Sequence, residues 1–204
     1  IGSFHHNLLA HCAGRNWSLA SGLDGDNYYS GLLDIFNNVV YNWGHRATDG
    51  GAHEVNFVGN YYKKGVATTQ STILKAQLEG VGLGSQSYYY ASNVVENTDG
   101  TYACDGTDNT CSRTYELSGG QILDWEVWVD EPFFPSDAVV DDAKDAFKFV
   151  LSDVGCTQPV FDDHDIRIID ETLNGTTSLK GSKTSIAGHP DHEADAGGWQ
   201  AYPG

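Results

Sequence analysis

The sequence predicts an all-β chain wound as a β-solenoid, on three observations. One six-residue pattern recurs four times: a large apolar residue, two variable residues, Asn, then two large apolar residues. It reads Phe4-His5-His6-Asn7-Leu8-Leu9, Ile35-Phe36-Asn37-Asn38-Val39-Val40, Phe57-Val58-Gly59-Asn60-Tyr61-Tyr62 and Tyr90-Ala91-Ser92-Asn93-Val94-Val95. These segments are rich in β-branched and aromatic residues but lack the strict apolar/polar alternation of a one-sided antiparallel sheet. The composition, with 24 Gly, 11 Tyr and 5 Trp, suits a loop-rich β chain.

The pattern asparagines stand at 7, 38, 60 and 93, spaced by 31, 22 and 33 residues. A coil of about 20–25 residues, with loop insertions in two of the intervals, accounts for that spacing. Asn is expected at a turn because it tolerates a left-handed backbone and its amide can bond the main chain. Repeated at one turn, the amides can also bond one another along the stack.

Between the patterned segments, residues 13–31, 44–52 and 66–86 read as loops, where function usually sits. Residues 97–121 are polar and turn-rich, and Ile122–Val129 reads as a strand. Glu131-Pro132-Phe133-Phe134-Pro135 is then a stop. Ser136 is the expected N-cap of a helix of about 16 residues, on the spacing of Val139, Val140, Ala143, Phe147, Val150 and Leu151, ended by Gly155. Its apolar face must pack on the side or open end of the solenoid. A second short helix is expected over Asp165–Leu173, capped by Asn174-Gly175, and the last thirty residues read as an extended tail that wraps back. Residues 1–130 thus hold the coils, and 131–204 the helix and tail of the same domain.

Lys plus Arg number 11 and Asp plus Glu 28, a formal net charge of −17. Such a surface repels nucleic acid and anionic membranes, and accepts a polyanionic sugar only where a local basic patch or a bound cation reverses the field. No apolar run approaches the ~18–20 residues of a membrane span. Cys104 and Cys111 bracket a polar loop and read as a loop-closing disulfide formed in an oxidising compartment, hence a secreted protein. Cys12 and Cys156 lie beside apolar segments and are expected to be buried thiols. The cysteine spacing does not match a zinc-thiolate site. Asn16-Trp17-Ser18 and Asn174-Gly175-Thr176 are glycosylation sequons.

Several segments, in order, resemble polysaccharide lyase family 1, the pectate lyases. They are Ser3-Phe4-His5-His6-Asn7-Leu8-Leu9-Ala10-His11, Ala13-Gly14-Arg15-Asn16, Asn37-Asn38-Val39-Val40-Tyr41-Asn42-Trp43-Gly44 and Val55-Asn56-Phe57-Val58-Gly59-Asn60-Tyr61-Tyr62-Lys63-Lys64-Gly65. Asp165-Ile166-Arg167-Ile168-Ile169, Asn174-Gly175-Thr176, Gly188-His189-Pro190-Asp191 and Gly197-Gly198-Trp199 extend the resemblance to the C-terminal part. It implies a right-handed parallel β-helix, of which this chain is the C-terminal portion, and Ca²⁺-assisted β-elimination on pectate, an α-1,4-galacturonan. It implies Arg15 as the catalytic base. It also implies that the Ca²⁺ ligands and a substrate-binding lysine belong to earlier coils, supplied by an N-terminal segment or a second chain. Trp17 and Ser18 stand where the family has Pro and then, shortly after, a second substrate-gripping arginine.

β-Elimination needs a base for the proton α to the uronate carboxylate, a cation to stabilise the enolate-like anion, and a proton for the leaving oxygen. A guanidinium is ordinarily protonated, so Arg15 reads first as the group that faces the substrate carbon and stabilises the carbanion, and then as the proton acceptor. His5 and His6, on a strand, are expected to point to opposite faces, one of them able to donate to a sugar or to sit in a turn or core. Arg46, Lys63 and Lys64 are scarce positives expected to line a polyuronate groove. Trp17 and Trp43 can stack on a sugar ring or fill the core. The cluster from His189 to Asp195 reads as a solvated tail. Two other functions compete: a β-helix glycoside hydrolase, which needs a pair of carboxyl groups flanking the bond, and a non-catalytic carbohydrate-binding β-helix.

Overall fold

The structure, a computed structural model, describes residues 1–20, 22–78, 81–118, 123–158 and 160–177. Of the expected tail, residues 178–204, with the His189–Asp195 cluster, lie outside the described residues. Strands come first as three triplets: β1 (Gly2–His5), β2 (Leu8–Ala10) and β3 (Trp17–Ala20); β4 (Leu32–Phe36), β5 (Val39–Tyr41) and β6 (Thr48–Gly51); β7 (Glu54–Val58), β8 (Tyr61–Lys63) and β9 (Leu74–Leu78). Then follow β10 (Ser87–Ala91), β11 (Val94–Glu96), β12 (Tyr102–Asp105), β13 (Arg113–Leu117) and β14 (Trp128–Val129), and two helices, α1 (Ala143–Asp153) and α2 (Asp163–Asn174).

From β1 to β11, strands three places apart pair. The first sheet runs β1-β4-β7-β10-β14, the second β2-β5-β8-β11-β12 and the third β3-β6-β9-β13. All pairings are parallel except that of β11 with β12. Each patterned segment is therefore two short strands meeting at a corner, with the asparagine in the corner.

The four asparagines form a column. Asn7 Nδ2 donates to Asn38 Oδ1 at 2.9 Å, Asn38 Nδ2 to Asn60 Oδ1 at 3.1 Å, and Asn60 Nδ2 to Asn93 Oδ1 at 3.0 Å. Each receiving oxygen also takes the backbone N–H of the asparagine before it. The left-handed backbone sits one residue earlier than the sequence implies, at His6, Asn37, Gly59 and Ser92. The preceding residue makes the bend, and the asparagine fills the polar interior of the bend.

Side chains from all three sheets meet in one core that includes Leu19, Ile35, Val40, Trp43, Phe57, Tyr62, Leu74, Tyr88 and Tyr90. Residues in register stack: the rings of Phe57 and Tyr90 lie 5.7 Å apart and 8° from parallel. Each such buried side chain contributes about 1.5–3 kcal/mol.

The outer faces of the sheets differ. That of the second sheet is an apolar row, Leu8-Val39-Tyr61-Val94, and α1 covers it with Ala143, Phe147 and Val150. The helix is shorter than the spacing implied. Asp142 is its N-cap, accepting from Lys144 N, while Ser136 donates instead to Asp34 on the first sheet. Val139 and Val140 are exposed. The outer face of the first sheet carries the polar row Ser3-Asp34-Asn56-Tyr89. Asn56 bonds Phe133 N and Phe134 O, and Asn37 bonds both N and O of Asp141, so residues 132–141 are strapped across that face. Burial there pushes the Asp34 carboxyl above its ordinary value. The outer face of the third sheet carries Ser18-Asp49-Lys75-Thr114, and its Ser18, Thr114 and Glu116 are open to solvent.

The rest of the expectations divide. The disulfide Cys104–Cys111 is present, with Cα atoms 5.9 Å apart. Cys12 is half-buried, and Cys156 is exposed rather than buried. The segments 13–31, 44–52 and 66–86, expected as loops, each contain one strand of the third sheet. Within the expected strand Ile122–Val129 only Trp128–Val129 pairs, and Ile122 lies outside the described residues. α2 begins two residues earlier than expected, capped by Asp162, and ends where expected, with Gly175 left-handed at φ 67°.

Candidate functional site

The corner that leads from the second sheet into the third builds the site. Main-chain bonds tie it together across two triplets: Gly44 N to Cys12 O, His45 N to Ala13 O, and Asn16 N to Ala47 O. Gly44 is required there, because a Cβ would lie 2.4 Å from Ala13 O. Asn16 is fully buried and donates to Arg46 O at 3.2 Å, which closes that sequon to glycosylation in the folded chain. Arg15 takes a left-handed backbone, φ 56°, which costs a non-glycine residue on the order of 1 kcal/mol. Strain of that kind persists only where the surroundings hold it.

Arg15 and Arg46 occupy equivalent positions in successive triplets, and both meet Asp49. Arg15 Nε lies 3.4 Å from Asp49 Oδ1, and Arg46 Nη1 donates to Asp49 Oδ2 at 3.2 Å. The Asp49 side chain is 4% exposed, those of the arginines 51% and 41%. Asp49 Oδ1 and Arg46 Nε are buried without a hydrogen bond. Beside this group lies an open pocket of about 340 Å³, lined by His45, Arg46, Asp49, Gln70, Thr72 and Lys75 among others. Lys75 pairs with Glu116, which also accepts from Gln77 Nε2 at 2.7 Å; these two bonds hold the Glu116 carboxyl below its ordinary value. Three cationic side chains thus gather on one face of a strongly acidic chain.

The other candidate residues go elsewhere. His5 and His6 lie at the first corner, between β1 and β2, against the segment that leads into α1. They do not diverge: the strand ends at His5, the left-handed turn at His6 swings its ring back, and their Nδ1 atoms are 2.9 Å apart. His5 stacks on Phe36, and His6 Nε2 lies 3.4 Å from Asp141. Trp17 is partly buried against the core, its ring 5.2 Å from that of Phe4, and Trp43 is fully buried. Both read as core. Lys63 is 8% exposed and donates to Leu173 O at 2.9 Å, with Glu96 at 3.4 Å. It anchors α2. Lys64 is held by Ser71 and Asn97 at 2.7 and 2.8 Å. The structure therefore joins Arg15 with Arg46 and separates His5, His6, Trp17 and Lys63 from them.

Sequence reasoning missed Asp49 and Lys75. The alternation Leu74-Lys75-Ala76-Gln77-Leu78 is a strand signal that places Lys75 outward, and it could have been read. Thr48-Asp49-Gly50-Gly51 carries no such signal.

Among the described residues no three His, Cys, Asp or Glu side chains gather to hold a metal ion. Asp49 is the carboxylate at the arginine pair, and two guanidinium groups engage it. The site does not fit Ca²⁺. No described helix is long and apolar enough to cross a membrane. Comparison with protein-family models gives no match, and comparison with curated proteins gives none.

Proposed function

We propose that this chain is part of a secreted polysaccharide lyase of the pectate-lyase type, a right-handed parallel β-helix that cleaves pectate or a related uronan by β-elimination. The observation that carries the proposal is the pairing of Arg15 and Arg46 on one buried carboxylate, beside a pocket shared with Lys75, in a chain of net charge −17. A polyuronate needs such a local reversal of sign to approach.

In this reading the uronate carboxylate sits between Arg46 and Lys75. Arg15 faces the carbon α to it; it yields its own proton to water as the substrate binds, the neutral guanidine accepts that carbon's proton, and the guanidinium so restored stabilises the enolate-like anion. The electron pair then forms a carbon–carbon double bond as the bond to the glycosidic oxygen breaks, and that oxygen takes a proton from water. Arg46 supplies the second guanidinium that Ser18 and its neighbours lack. Arg46 suits a carboxylate, which a guanidinium fork binds through two parallel hydrogen bonds. Any calcium would take its ligands from outside the described residues. The disulfide supports an oxidising, extracellular setting.

The test is incubation of polygalacturonate with the complete protein, with and without Ca²⁺, following the ultraviolet absorbance of an unsaturated uronide. A rise abolished by chelator is expected. New reducing ends without that absorbance would point to hydrolysis, and silence in both assays to a binding module; either result overturns the lyase.

A further inference from the structure

We infer that Asp49 is a positioning residue that clamps Arg15 and Arg46 side by side. The inference deepens the lyase reading and rests on it for its functional half. Asp49 is the first outward-facing residue of β6, three residues after Arg46 and level with Ser18 on the neighbouring strand. The parallel register brings Arg15, from the triplet before, to the same carboxylate. One acid from β6 therefore meets arginines from two successive turns of chain.

The contacts are asymmetric in a useful way. Asp49 meets Arg15 through Nε, the inner nitrogen, a contact that does not occupy the two terminal nitrogens of that guanidinium. It meets Arg46 through Nη1. The carboxylate is almost fully buried while each guanidinium is roughly half exposed, so the anchor is inside and the working edges are outside. Two like charges one strand apart, about 4.8 Å, repel each other unless an anion between them offsets the repulsion. With a single negative charge between two positive ones, the cluster keeps a net positive charge for an anionic sugar. Gln70 and Thr72 line the pocket beside it with groups that carry no charge to oppose that ligand.

A purely structural acid and a positioning acid give different kinetics. Asp49→Asn removes the anchor and adds a unit of positive charge to the site. The polyanion then binds at least as well, while Arg15 loses its orientation. The expected result is a fall in kcat of tenfold or more with KM unchanged or lowered, and with Asp49→Glu recovering turnover above Asp49→Asn. An unchanged kcat, within twofold, in Asp49→Asn of a protein whose wild type is active overturns the inference and leaves the lyase standing.

A second measurement needs neither substrate nor a folded variant at position 49. The Arg15 Nε–H signal of the wild-type protein, assigned by its loss in Arg15→Lys, should show the restricted motion of an ion-paired side chain in nitrogen-15 relaxation. Motion as free as that of a solvated arginine overturns the clamp. If the wild type proves inactive on polyuronates, the lyase falls, and this signal alone decides whether the clamp holds.

Discussion

Asn60 lies in the middle of the asparagine column and shows what the column contributes. Its side chain accepts from Asn38 N and Asn38 Nδ2 and donates to Ile35 O and Asn93 Oδ1. All of these groups are buried, so removing the amide leaves donors and acceptors that water cannot reach. An orphaned buried group costs about 1–3 kcal/mol, more than a hydrogen bond adds when made. Asn60→Ala is therefore expected to lose about 3 kcal/mol. Asn7 makes similar bonds at the exposed head of the column, where water can replace them, and Asn7→Ala should lose about 1 kcal/mol or less. Urea unfolding with a common slope measures both; equal losses would show that the column is incidental to stability. This residue-scale feature was readable in the sequence because its chemistry repeats: the asparagine recurs, flanked by apolar pairs. The bend beside it was not readable as a pattern, since His6, Asn37, Gly59 and Ser92 share only a backbone angle.

Among the elements, α1 docks on an apolar row, whereas α2 docks where polar groups are matched. α2 is held by Lys63 through Leu173 O, and by the pair of His11 Nε2 and Glu171 Oε2 at 3.0 Å, with Arg167 also bonded to Glu171. The pattern Tyr61-Tyr62-Lys63-Lys64 gives no clue that one lysine points into the body of the protein, because α2 lies 110 residues further on. Lys63→Met should cost about 2–3 kcal/mol, since Glu96 loses its cation and Leu173 O its donor in a mostly buried setting. It should leave KM for polygalacturonate within twofold of wild type. Chemical denaturation and initial rates check the two halves, and a severalfold rise in KM without loss of stability would return Lys63 to the substrate groove. Within the third sheet, β6 was the strand hidden from sequence reading. Thr48-Asp49-Gly50-Gly51 has none of the bulky β-formers that mark strands, because its backbone is packed too closely for them: a Cβ on Gly50 would lie 2.1 Å from Leu19 O. Strands defined by close approach and parallel pairing, rather than by apolar side chains, look like loops in a sequence. Asp49, the residue that brings Arg15 and Arg46 together, was lost with them.

At the scale of the whole molecule, charge and site act against each other over different distances. Twenty-eight acidic side chains repel a polyuronate from afar, whereas Arg15, Arg46 and Lys75 attract it only at close range. The screening length falls from about 30 Å at 0.01 M salt to about 10 Å at 0.1 M. Over that range salt removes the long-range repulsion while leaving contacts within the cluster largely intact. For a lyase of this design, kcat/KM should therefore rise between 0.01 and 0.1 M NaCl at fixed divalent ion. It should then fall toward 1 M, where a screening length of about 3 Å reaches the contact pairs themselves. Initial rates on polygalacturonate across that series provide the check. A steady fall from the lowest salt upward would mean that the basic face governs the encounter at every distance, and that the acidity of the remaining surface does not reach the approaching sugar.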